Sequence, residues 1–225
     1  MLNRLPFVQA VLFVVGALLP IVNPFGNAPI FLALTAGCSR ETHAALARLV
    51  ALYGFALLVV SLFVGSYILE FFGVTVPAMR VAGGIVVIAT GWNILHRSEA
   101  PESGQGPVAW SEHEIASRAF YPLTLPLTVG PGSISVAVTL GADMPVYNLP
   151  TPIIATVGLV GVALVCVSVY LAYRFADELL RFLGETGTDV LVRLSAFILL
   201  CIGVEITWKG VTALLLPLLH GAAAG

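Results

Sequence analysis

The sequence predicts an all-α polytopic membrane protein with six transmembrane helices, arranged as two inverted three-helix repeats with broken helices in spans 1 and 4. Three observations lead there. The 225 residues are 59% hydrophobic and only 10% charged, with a mean hydropathy of +1.01, whereas a soluble domain carries roughly 25% charged residues. A spanning helix takes about 20 residues, so the chain has room for six or seven spans and little else. Two apolar segments, one opening each half, are interrupted by clusters of Pro, Gly and Asn that an ordinary spanning helix lacks.

Span 1 covers residues 6–36 and contains Pro20, Asn23, Pro24, Gly26, Asn27 and Pro29. Proline removes a backbone donor and clashes with the preceding turn, and glycine adds slack, so the helix is expected to break here. Lipid satisfies no backbone N–H or C=O, so the break has to face protein or a wet cavity. Asn23 and Asn27 lie one turn apart, placed to line such a cavity. Their competing role is to satisfy the carbonyls that the prolines set free.

After a polar turn, span 2 takes residues 44–72. Span 3 takes 76–96, starting with Pro77 and carrying Gly83, Gly84 and Gly91. The Gly83–Gly84 pair suits close helix packing. Residues 97–118 read as a loop rich in Pro, Gly and Glu. Span 4, at 119–141, repeats the broken pattern with Pro126, Gly130, Pro131 and Gly132. Thr124, Thr128, Ser133 and Ser135 flank that break, and hydroxyls in spanning helices usually bond back to their own backbone. Span 5 takes 151–175, a charged turn follows, and span 6 takes 190–219. The domains expected are a first repeat at 1–97, a cytoplasmic linker at 98–118 and a second repeat at 119–225.

Basic residues orient the chain. Arg40, Arg48, Arg97, Arg118, Arg174, Arg181 and Arg193 fall at one end of the spans, and Arg4, Arg80 and Lys209 at the other. The positive-inside rule puts the first group in the cytoplasm and both termini outside. Spans 1 and 4 then cross in opposite directions. Spans 3 and 6 each open on an arginine, Arg80 or Arg193, with a small residue three positions on, Gly83 or Ala196. Paired interrupted segments in such inverted repeats point to a binding site near the midplane.

The runs NPFGNAPIF in span 1, PLTLPLTVGPGSIS in span 4 and RVAGG in span 3 resemble the MarC family of bacterial integral membrane proteins, over essentially the whole chain. Asn23, Pro24, Gly26, Pro29, Gly130, Pro131 and Gly132 are the positions that match its motifs. The resemblance implies an inner-membrane location and kinship with the lysine-exporter type superfamily, hence transport, with small neutral amino acids as the suggested substrate class. Span 6 departs from the pattern. Glu205 stands where an uncharged polar residue is expected, about 12 residues or about 18 Å past Arg193 at 1.5 Å per residue.

The function expected is a secondary transporter of a small polar solute, working by alternating access. The alternatives are a non-transporting scaffold or accessory subunit, and a channel. Asn23, Pro24, Gly26, Asn27, Thr128, Gly130, Pro131, Gly132 and Ser133 are the expected substrate-binding residues. Glu205 is the ion-coupling candidate, because a carboxylate at bilayer depth is costly and usually marks an ion or proton path. Its competing role is pairing with Lys209, one turn on. The partners implied are the solute, Na⁺ or H⁺, and the lipid bilayer, with a homo-oligomer left open. A net charge of −2 with no basic run argues against nucleic acid. The chain carries no H-E-x-x-H, G-x-S-x-G or P-loop motif, so neither an enzyme nor a cofactor is expected. Cys38, Cys166 and Cys201 lack metal-ligand spacing.

Overall fold

The computed structural model describes residues 4–35, 37–96, 111–143 and 151–222. Among them every regular element is helical. Helix α1 (Arg4–Val22) is followed after one residue by α2 (Pro24–Leu34), and the two together make an apolar rod, Phe7–Leu34. Ser39 caps α3 (Arg40–Phe71), its hydroxyl accepting from the Thr42 N–H at 3.2 Å. Gly73, at φ 68°, ends that helix and leads to Thr75, which caps α4 (Val76–Leu95). The second half begins with α5 (Glu112–Arg118), which runs into a wide, irregular helical segment (Ala119–Thr128) and then α6 (Pro131–Asp143). Helices α7 (Thr151–Arg174) and α8 (Ala176–Ala222) complete the fold. Five helices are long and apolar enough to cross a membrane, and six if the bent pair His113–Thr128 and Pro131–Asp143 counts as one span.

Two stretches differ from expectation. The loop expected at 97–118 is helical from Glu112, because Ser111 and Glu114 form a reciprocal capping box. The Glu114 carboxylate accepts from both the Ser111 N–H and hydroxyl at 2.8 Å, and the Ser111 hydroxyl accepts from the Glu114 N–H at 3.3 Å. That satisfies donors left open at a helix start. Residues 97–110 of the expected linker, and 144–150 of the turn before span 5, lie outside the described residues. The charged turn before span 6 is also helical, interrupted only at Gly184 (φ 67°, ψ 179°), a conformation that glycine alone adopts readily.

Packing ties the two halves together. Helix α4 packs most extensively on α8. Helix α3 lies against α6, α7 and the Ala119–Thr128 segment, α1 against α7, α2 against α7 and α8, and α4 also against α6. The α4–α8 pair is antiparallel, with Gly91 opposite Ala196 and Leu200, Gly84 opposite Gly203, and Pro77 and Val81 opposite Gly210. Gly84 and Gly91 on α4, and Ala196, Gly203 and Gly210 on α8, are spaced seven positions apart, so the two backbones approach closely along this seam. A Cβ on Gly84 would come within 2.8 Å of the Gly203 carbonyl, and one on Gly203 within 2.9 Å of the Gly84 carbonyl. Large apolar residues left outside the bundle, among them Phe13, Phe71 and Phe182, suit a surface that meets hydrocarbon.

Candidate functional site

The first span is interrupted by a single residue. Asn23 takes a left-handed backbone (φ 47°, ψ 57°), a region that asparagine visits more readily than most residues with a Cβ. Backbone bonding continues on both sides: Asn23 N–H donates to the Leu19 carbonyl (2.9 Å) and Asn27 N–H to the Asn23 carbonyl (3.0 Å). The Asn23 side chain caps α2, its Oδ1 accepting from the Gly26 N–H at 3.2 Å. Gly26 permits this because a Cβ there would lie 2.7 Å from the same Oδ1. With the Gly26 N–H turned to the cap, the Val22 carbonyl loses its regular partner four residues on. The Asn27 amide replaces it, Nδ2 donating to Val22 at 3.0 Å.

The second span is interrupted more severely. Tyr121 (φ −130°, ψ 123°) and Leu125 (φ −107°, ψ 126°) are extended, and each precedes a proline, whose ring disfavours the helical region for its predecessor. The peptide bonds before Pro122 and Pro126 are cis. Hydroxyls take up carbonyls five residues back: Thr124 donates to Ala119 (2.6 Å) and Thr128 to Leu123 (2.7 Å). The chain then turns through 70°, and Pro131 opens α6 at a position where its missing N–H is no loss.

The interruptions meet. Asn27 Nδ2 also donates to the Leu127 carbonyl at 3.0 Å, linking the two broken spans directly. Beside this link lies a cavity of about 400 Å³. Its wall carries seven of the nine residues expected at the site: Asn23, Asn27, Thr128, Gly130, Pro131, Gly132 and Ser133. Pro24 and Gly26 lie off the wall, one opening α2 and the other supporting the Asn23 cap. Helix α4 supplies the opposite wall with Val86, Val87, Thr90, Asn93 and Ile94, and Leu199 of α8 closes it.

Among the described residues, the Asn23 Nδ2, the Asn27 Oδ1, the Ser133 hydroxyl and the Asn93 amide have no hydrogen-bond partner in the protein. None of these four is sealed off, the buried side-chain polar atom without a partner among the described residues being the Thr139 Oγ1, so they are open to water or a solute. The first turn of α6 adds backbone N–H groups and the partial positive charge of a helix N-terminus. Behind the cavity, the Thr128 hydroxyl bonds the buried Tyr173 hydroxyl at 2.8 Å. Tyr173 stacks on Phe31 with ring centroids 4.4 Å apart, fixing that wall against α2 and α7.

Sequence reasoning missed Thr90, Asn93 and Tyr173. A signal existed for the first two, polar residues three apart near the end of span 3, a spacing that places both on one helix face. Glu205 is not brought to this cavity. It pairs with Lys209 at 3.1 Å and lines a separate groove with Arg80 and Asp143.

The sequence matches the MarC family of integral membrane proteins over residues 8–215. The inner membrane protein MarC of Salmonella paratyphi A is 28% identical over 206 residues, covering 86% of this chain and 90% of the relative. Its counterpart in Citrobacter koseri is 29% identical over 208 residues with the same coverage. That of Escherichia coli O1:K1 is 27% identical over 206 residues. No solved structure matches the chain. The family match reaches from α1 into α8 and includes both interruptions and the cavity between them, and the chain belongs to the MarC family of integral membrane proteins.

Proposed function

We propose that this chain is an inner-membrane secondary carrier of a small polar solute, with a small neutral amino acid as the best fit, working by alternating access. The observation that carries the reading is the single cavity shared by both interruptions, lined by polar groups that the protein itself leaves unpaired. Its volume of about 400 Å³ is at the small end of the roughly 300–1,000 Å³ of small-molecule sites. A zwitterion matches the lining. Its carboxylate faces the first turn of α6 and the Asn23 amide N–H groups, and its ammonium faces the Asn27 Oδ1 and the Ser133 hydroxyl.

Two inverted three-helix repeats form part of this proposal, and the packing supports them. Exchanging α1 with the Ala119–Thr128 segment, α2 with α6, α3 with α7 and α4 with α8 maps each principal helix contact onto another. The α1–α7 contact becomes segment–α3, α2–α7 becomes α6–α3, and α2–α8 becomes α6–α4. With both termini outside and the linker in the cytoplasm, the cavity runs toward the cytoplasmic end of α4. That is an inward-facing arrangement. Na⁺ or H⁺ remains the proposed driving ion, and Glu205, set apart from the cavity, is a coupling candidate only at a distance.

One observation favours the scaffold reading. The Asn27 Nδ2 is occupied by two carbonyls, as expected of a group that patches a broken helix. Thermal-shift screening of purified protein against amino acids and ions, followed by counterflow in proteoliposomes, separates the readings. Stabilisation by a small amino acid with saturable counterflow supports the carrier. No shift and no flux with any solute supports the scaffold, and flux that does not saturate supports a channel.

A further inference from the structure

A second groove, of about 820 Å³, lies between α1 and α8 with α6 as its floor. Only Ile21 is shared with the solute cavity. Four charged residues line it. Arg80 holds both oxygens of Asp143 at 2.8 and 2.7 Å, joining α4 to α6. Glu205 and Lys209 pair at 3.1 Å along α8. Because Val81 of α4 lies against Gly210 of α8, the two pairs sit at one level of the bundle. From there the groove deepens along apolar wall, past Ala17, Ile202 and Ile206 to Ile21 and Cys201. Gly16 is on that wall, and a Cβ there would meet nothing within 4 Å.

The Glu205–Lys209 pair is the anomaly. It belongs to the apolar span Thr186–Leu216, yet its side chains are 61% and 67% exposed. Charges within a span cost free energy unless they face protein, water or a polar partner. One contact also leaves most of the hydrogen-bonding capacity of a carboxylate and an ammonium unused. Two cations and two anions at the mouth of an apolar groove complement a headgroup that itself carries both charges and donates hydrogen bonds. An anionic lipid would place its net charge beside two carboxylates.

We propose that this groove binds a zwitterionic aminophospholipid of the phosphatidylethanolamine type, its phosphate held by Lys209 and Arg80, its ammonium by Glu205 and Asp143, and an acyl chain lying between α1 and α8. The proposal does not rest on the carrier reading, because it uses the other site.

Native mass spectrometry of the detergent-purified full chain, titrated with phosphatidylethanolamine, phosphatidylcholine or phosphatidylglycerol, tests it. Phosphatidylethanolamine is expected to bind about fivefold or more tightly than either of the others, about the worth of one favourable headgroup contact. The double variant Glu205→Gln, Lys209→Gln should lose that preference. Gly16→Leu, which fills open space, should weaken binding of all three lipids while leaving amino-acid thermal shifts unchanged. It also decides the matter if the double variant does not fold. Equal binding of the three lipids by the unmodified protein overturns the proposal, as does binding indifferent to Gly16→Leu. A shift from dimer to monomer in Gly16→Leu with unchanged lipid binding would assign the groove to a second copy of the chain and overturn it as well.

Discussion

Asn27 and Leu127 lie one hundred positions apart in sequence and 3.0 Å apart in space, amide Nδ2 to backbone carbonyl. The same nitrogen serves the Val22 carbonyl, so one side chain closes the first interruption and fastens it to the second. Replacing it by alanine leaves two carbonyls without donors. Asn27→Ala should cost about 1–3 kcal/mol of stability, the usual penalty for unsatisfied buried groups, and should also weaken solute binding. A melting curve and a solute titration on the same preparation check both. An unchanged melting temperature would mean the link carries no stability.

Asn23 separates backbone from side chain. Its left-handed backbone suits glycine, while its Oδ1 caps α2. Asn23→Gly should therefore stay within a few tenths of a kcal/mol of the parent, whereas Asn23→Ala should lose about 1 kcal/mol or more. Both remove the free Nδ2, so both should bind the amino acid more weakly. If Asn23→Gly binds normally, the amide serves the helix alone.

The α4–α8 contact has no room for a side chain. Gly84→Leu and Gly203→Leu should each destabilise by about 1–3 kcal/mol or more through overpacking, read as loss of folded protein in size-exclusion chromatography and a lower melting temperature. Gly16→Leu, facing open space, is the control and should melt like the parent.

Orientation is open to a direct check. A reporter active only outside the cytoplasm, fused after the last residue, should be active, and one active only in the cytoplasm should be silent. The reverse pattern would turn the mouth of the solute cavity outward.

The capping box at α5 predicts a pH response. The backbone and hydroxyl of Ser111 hold the Glu114 carboxyl below its ordinary value of 4.5. The contribution of the cap is therefore complete above that value and is lost as pH falls through the lowered one. Nuclear magnetic resonance shifts of Ser111 and Glu114 should report loss of the cap only under those acidic conditions. Loss at or above the ordinary value would contradict the hydrogen bonds.

The spans were legible because long apolar runs leave few alternatives. The exceptions are the start of span 4 and the charged stretch before span 6, both of which are helical. Glu112 and Glu114 lowered the local hydropathy and made a helix look like loop, although the Ser111 to Glu114 spacing was visible. Both interruptions were also legible, since Pro, Gly and Asn at bilayer depth have few other uses. Their unequal character was not. Counting prolines cannot reveal that Asn23 absorbs one break within a single residue while the other turns the chain through 70°, because the difference lies in where the freed donors and acceptors go. Thr90 and Asn93 belong to the site through packing of α4 across the bundle, a relationship between distant segments that no local pattern encodes.

The seven-residue recurrence of glycine and alanine between α4 and α8 also limits how the molecule can move. Sliding either helix by one turn would drive Ile88 or Leu200 into backbone now occupied by the neighbour, so the pair resists shear and behaves as a single beam. Val86, Thr90, Asn93 and Leu199 ride on that beam. Under the carrier reading proposed above, the cycle would keep those four fixed and shift the short helices α2 and α6 across them.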